Sequence, residues 1–181
     1  MNTIIGALLV LCSIQPADAQ TRILTSSREH SSMSYRVIHP MHSMEAVSNE
    51  VVVRMMCDST GRTIGGVRAV VDVMTFNSGN SNRDSHAMEV VDALTYPEAK
   101  FSSTAIAPSG DSLAVRGMLQ FHGVTREITA WGRAVTTADT IVVSAQFAIS
   151  MTDFKIDRPS LLMIPVQDTI RFSLTAGFPL H

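Results

Sequence analysis

The stretch SLAVRGMLQFHGVTREITAWGRAVT, residues 112–136, decides the fold class. In its first half, 112–122, Leu119 and Phe121 stand two apart, and an extended chain turns every second side chain to the same face. Gly123 interrupts the run, and 124–136 resumes it with β-branched residues. Two extended runs joined by so short a turn lie antiparallel, so the centre of this chain reads as a β-hairpin.

The same pattern continues outward from the hairpin. Upstream lie runs at 33–39, 43–57, 63–76 and 99–107, and downstream at 140–151 and 166–177, which makes eight in all. Val51, Val53, Met55 and Cys57 alternate in one run, and Val67, Ala69, Val71 and Val73 in the next. His39-Pro40, Ser59-Thr60-Gly61, NSGNSN (77–82), Pro108-Ser109-Gly110-Asp111 and Ala138-Asp139 supply turn chemistry between runs. One segment breaks the pattern. In SHAMEVVDALT, 85–95, Ala87, Val90, Val91 and Leu94 recur at helical spacing, with Asp84 or Ser85 able to cap the first turn and Tyr96-Pro97 closing the last. One short helix among eight antiparallel strands fits a closed barrel or a two-sheet sandwich, since both protect strand edges, and periodicity does not choose between them.

Composition supports one β-rich domain. The 181 residues are 45% hydrophobic and 17% charged with a net charge of -2, enough for a core and without the basic excess that nucleic acid requires. Aromatic residues make up only 6%, too few for stacking platforms.

The N-terminus reads as an export signal. Residues 4–14, IIGALLVLCSI, are apolar but too short to span a bilayer as a helix. Ala17-Asp18-Ala19 offers the small-x-small site of signal peptidase, so 1–19 is expected to be a signal peptide cut after Ala19, with a periplasmic or secreted product. Leu11 before Cys12 argues against a lipid anchor. Cleavage removes Cys12 and leaves Cys57 as the single thiol, so no internal disulfide forms. The polar stretch QTRILTSSREHSS, 20–32, is expected to be a mobile leader, and the domain to run from 33 to 177.

Three segments carry a family resemblance: NSGNSNRDSHAMEVVDALTYPEAKFSST (77–104), VRGMLQFHGVTREI (115–128), and FAISMTDFKIDRP with VQDTIRFSL (147–159 and 166–174). Their order and spacing resemble the YceI-like family of exported lipid-binding proteins, in its Arg-Asp-x-His segment, its Gly-x-Leu-x-x-x-Gly-Val-Thr hairpin and its closing strands. The resemblance implies an all-β, eight-stranded antiparallel lipocalin-like barrel with one inserted helix and a lumen that holds an isoprenoid or other long-chain lipid. Family members commonly carry a glycine after the first His-containing strand, whereas this chain has HPMHSMEAVSN at 39–49.

The alternating apolar residues Val71, Val73, Phe101, Leu119, Phe121, Phe147, Ile149, Ile170 and Phe172 either fill such a barrel or line its cavity, and the resemblance favours the lining. Arg83, Asp84 and His86 could meet a lipid head group, or could hold the helix to the barrel with Asp84 as its cap. Gly110-Asp111-Ser112-Leu113 spells the tetrapeptide of a lipase class, but the Asp-x-x-His such enzymes need is missing. His39, His42, His86 and His122 show no metal-ligand spacing, and His122 is expected to hydrogen-bond locally beside Gly123. We therefore expect a binding protein that is not an enzyme, without metal or cofactor, and able to pair as a homodimer. Its rivals are a filled-barrel envelope stress protein and a lipid-modifying enzyme that uses Arg83, Asp84 and His86.

Overall fold

A computed structural model describes residues 21–58 and 63–180, so the expected signal peptide and the Ser59-Thr60-Gly61 turn lie outside the described residues. The chain runs through β1 (Arg22–Thr25), β2 (Ser27–His39), β3 (His42–Ser48), β4 (Val51–Cys57), β5 (Ile64–Asp72), α1 (Ser81–Val90), β6 (Glu98–Ser109), β7 (Ser112–Phe121), β8 (Val124–Thr136), β9 (Thr140–Ser150), β10 (Ser160–Leu161), β11 (Ile164–Pro165) and β12 (Thr169–Pro179). The hairpin read at 112–136 is β7–β8, in register from Phe121↔Val124 to Leu113↔Gly132. His122 (φ 49°) and Gly123 (φ 70°) form its two-residue turn, in the left-handed conformations that match the twist of the flanking strands.

The architecture is a curled antiparallel sheet with one short helix. The sheet has ten strands, ordered β1-β4-β5-β6-β7-β8-β9-β12-β2-β3, rather than the expected eight. Each expected run contains a strand, and the surplus arises because two stretches of chain are each broken in two. At Ser26 the hydroxyl oxygen accepts from Val53 N (3.0 Å) in place of a backbone carbonyl, separating β1 from β2. At the second break Ser48 Oγ accepts from Glu50 N (3.0 Å) and pairs with Thr75 Oγ1 (2.6 Å), and the chain bends from β3 into β4. β1 pairs with β4 and β2 with β12, near opposite ends of the strand order, although Ser26 alone separates them in the chain. The link at Ser26 therefore draws the two flanks together and gives the sheet its barrel-like curl.

Two sequence expectations need correction. The described part of the expected mobile leader, 21–32, is ordered: β1 and the start of β2 lie in it, with Leu24 and Ser31 buried. Polar side chains hid these strands because much of their surface faces solvent, and backbone pairing with β4 and β12 orders them regardless of side-chain pattern. The helix also starts earlier than 85. Asn80 is its N-cap, its side-chain oxygen accepting from Arg83 N (3.1 Å), whereas Asp84 lies within the first turn. The apolar spacing marks only the inward face of the second half of α1, so the polar first turn looked like loop.

Register places the β2–β3 turn, the β7–β8 turn, α1 and the β9–β12 connection at one end of the barrel, called here the helix end. Several bonds close this end. His122 Nδ1 meets the Phe154 carbonyl (3.0 Å), a contact across 32 residues rather than the local one expected, and Gln167 N donates to Ile38 O (2.7 Å). The 3-10 turn Thr152–Phe154 is tied to Asp168, whose carboxylate accepts from Ser150 Oγ (2.5 Å), Thr152 N (3.0 Å) and Thr152 Oγ1 (2.7 Å). No helix among the described residues is long and apolar enough to cross a membrane.

Candidate functional site

Inward-facing side chains do not fill the barrel. Two cavities of about 130 and about 100 Å³ lie along its interior, the first at the helix end beneath α1 and the second toward the opposite end. Met33, Val71, Ala99, Leu119 and Phe147 border both, so the two are successive chambers of one lumen separated by a waist of apolar side chains. Their walls are almost wholly apolar away from the mouth, so they offer water few hydrogen-bond partners and suit an apolar guest.

The residues singled out in the sequence distribute as follows. Val71, Leu119 and Phe147 stand at the waist. Val73, Phe121, Ile170 and Phe172 line the helix-end chamber, and Phe101 lines the other. Ile149 is buried in the packed core and borders neither chamber. Phe147 stacks on Phe172 with centroids 4.8 Å apart and planes within 12°, fixing part of the wall by aromatic packing. Sequence reasoning missed Met33, Tyr35 and Val37 of β2, which line the helix-end chamber. Their period-two spacing in SMSYRVIH was visible and could have found them. Met88, Val90 and Val91, from α1 and just beyond it, form the roof of that chamber, and no strand pattern could have placed them there.

Arg83, Asp84 and His86 all border the helix-end chamber, at its mouth. One Asp84 carboxylate oxygen accepts from Ser78 N (3.0 Å) and Ser78 Oγ (2.5 Å). Arg83 donates from Nε to Ser78 Oγ (2.8 Å) and from Nη2 to Ser78 O (3.0 Å). Asp84 is therefore no helix cap; it orients Ser78, which in turn orients the guanidinium. His86 is exposed, with Nδ1 3.8 Å from the Glu89 carboxylate. Tyr35 faces the same chamber, where burial first, and then the negative charge of Asp84, push its phenol above the usual range against the opposing pull of Arg83. Its hydroxyl thus stays neutral and able to donate a hydrogen bond. The four candidate histidines do not converge: His39 and His42 lie together with centroids 5.2 Å apart, His86 is on α1, and His122 is committed to Phe154.

A β-barrel whose interior is an apolar lumen with a few polar groups at one mouth defines the class of small barrels that hold apolar ligands. Comparison with known proteins makes this specific: the YceI-like domain matches residues 24–178, and the chain belongs to that family. It is 31% identical to a UPF0312 protein of Vibrio campbellii over 117 residues, which is 62% of this chain and 62% of that protein. It is 22% identical to the protein YceI of Salmonella newport over 114 residues, 61% of this chain and 60% of the other. Among solved structures, BcnA of Burkholderia cenocepacia superposes with a TM-score of 0.76 at 20% identity, covering 84% of this chain and 98% of that one. A polyisoprenoid-binding domain from Saccharophagus degradans gives 0.65 at 13% identity, covering 88% and 99%. These likenesses establish the fold.

Proposed function

We propose that this protein is an exported carrier that holds a long apolar chain, a polyisoprenoid or similar lipid, in its lumen without chemically altering it. The observation that carries this reading is the pair of apolar chambers stacked end to end, with Leu119 and Phe147 in the wall of both, which one chain could thread if the waist yields. The structural likeness to a polyisoprenoid-binding domain supports the ligand class. Burying about ten methylenes at about 0.8 kcal/mol each gives about 8 kcal/mol, near micromolar before ordering costs. Arg83, His86 and the Tyr35 hydroxyl are the donors available to a polar or anionic head group at the mouth. The Asp84 carboxylate serves in this reading to orient Ser78, and through it Arg83, rather than to move protons, and Arg83 keeps N–H groups free beyond Nε and the one Nη2 bond. The compartment follows from the expected signal peptide, and N-terminal sequencing that finds Gln20 first would bear it out.

Native mass spectrometry of protein purified from its own host tests the cargo, with an added mass matching a long-chain lipid as the expected result. Leu119→Trp then fills the waist. An open lumen accepts the indole, keeps the fold and loses the long lipid, whereas a packed core loses about 1–3 kcal/mol through overpacking. A ligand-free parent together with a destabilised variant would mean that the barrel is filled and the carrier reading is wrong.

A further inference from the structure

Among the described residues, the hairpin β10–β11 carries four consecutive exposed apolar side chains. They are Leu161, Leu162, Met163 and Ile164, and Leu162 and Met163 are 74% and 97% exposed. Both adopt left-handed backbone, φ 52° and 65°, at the two turn positions where Asn-Gly is the unstrained choice. Large apolar residues here accept both solvent exposure and backbone strain, and the strand pairing Leu161↔Ile164 needs neither of those two side chains.

The base of the tip is tied down by hydrogen bonds. Val166 N donates to Pro159 O (3.0 Å), and Arg158 donates to Val166 O from Nε (3.0 Å) and Nη2 (2.5 Å). The buried His39 ring spans from this hairpin to the neighbouring turn: Nδ1 accepts from Met41 N (3.2 Å), so Nε2 carries the proton and donates to Ile164 O (3.0 Å). Met41, itself 64% exposed, is thereby fixed beside the tip, which accounts for the HPMH segment. Pro159 and Ile156, which lead into the hairpin, line the helix-end chamber, so the tip stands at the mouth of the lumen. The hairpin itself, 158–165, carries Arg158 and no carboxylate, while Glu45, Asp157 and Asp168 lie just beyond the two segments that build the tip, 38–44 and 158–167, with Glu45 paired with Arg36 and Asp168 held by Ser150 and Thr152.

We propose that this tip docks the lumen mouth onto the surface of a lipid bilayer, with Leu162, Met163 and Met41 entering the interface. A bilayer is favoured over a protein groove because the tip is a narrow convex turn of consecutive apolar residues, sits at the mouth and has the cation Arg158 at its base. The inference rests on the carrier reading for its purpose, since a lipid cargo has to leave and re-enter a membrane, but not for its test.

The probe is a vesicle of phosphatidylcholine with a minority of phosphatidylglycerol, part of it brominated to quench fluorescence. In a Cys12→Ser background, where Cys57 is buried, an environment-sensitive dye on Met163→Cys should be quenched, while the same dye on Val135→Cys, near the far end of the barrel, should not. Leu162→Asn with Met163→Gly suits the turn better than the native pair, so it should fold at least as stably and yet bind vesicles at least about tenfold more weakly. An unquenched label at 163, quenching equal at both sites, or undiminished binding by the double variant overturns the proposal, and capture by a protein but not by vesicles does so as well. Retention of co-purified lipid by the double variant separates the two readings. In the double variant, lipid kept with vesicle binding lost is the expected result; in the unaltered protein, co-purified lipid without vesicle binding sinks only the docking, and vesicle binding by a ligand-free protein sinks only the carrier.

Discussion

Gly117 illustrates how narrowly single side chains set the shape of the lumen. It stands in the inward-facing series of β7 with Leu119 and Phe121, and a methyl at this position would come within 2.4 Å of Ser102 O and 2.6 Å of the Phe101 ring. The missing side chain leaves room for the Phe101 ring, which lines the far chamber. Gly117→Ala should therefore cost about 1–3 kcal/mol in denaturant unfolding, because the obstacle includes a backbone oxygen that cannot rotate away. Cys57 behaves differently. It is 2% exposed, and burial first, then Asp58, pushes its thiol above the usual range against Arg22, which makes it an inert core residue rather than a reactive one.

At the scale of elements, the connection from β9 to β12 depends on one carboxylate. The Ser150 hydroxyl first, then the Thr152 hydroxyl, holds Asp168 below the usual carboxylate range. A depressed folded-state value means that Asp168 contributes its full stability above the ordinary carboxylate pKa of about 3.9 and loses it as pH falls through the lower folded value. Asp168→Asn should unfold about 1 kcal/mol more easily at neutral pH, the figure kept small because the carboxylate is partly solvated. It should also lack that part of the wild-type loss on acidification below about pH 4, which urea titrations across pH would read. The same element shows what periodicity misses: β10 and β11 are only two residues each, too short for any alternation to register. The helix was legible as an element because Ala87, Val90 and Val91 face the barrel, while its start at Asn80 depends on one cap bond.

At the scale of the molecule, curl depends on the chain at Ser26, which joins strands on opposite flanks of the sheet. If residues 22–32 are structural, Leu24→Ala, which empties a site only 6% exposed, should cost about 2–4 kcal/mol and loosen β1 from β4. A change of a few tenths in thermal or denaturant unfolding would instead return that segment to the status of a leader. The lumen has the same global origin. The strands β2, β5, β7, β9 and β12 contribute three to five apolar side chains each, and only when they stand around one axis does a space remain between them.

The sequence by itself determined the all-β class, the hairpin about Gly123, the presence of one helix, the family and a minority of the apolar residues that border the chambers. These are written in period-two alternation, turn chemistry and motif spacing, all of which act within a few residues of the chain. Only the tertiary structure decided that the polar segment before residue 33 is strand, that Asp84 orients Arg83 through Ser78, that Ile149 is core rather than wall, and that the lumen has two chambers. Backbone hydrogen bonds to a distant strand order a segment whatever its polarity, and the volume left inside a barrel depends on how side chains from several strands meet, which no local pattern records.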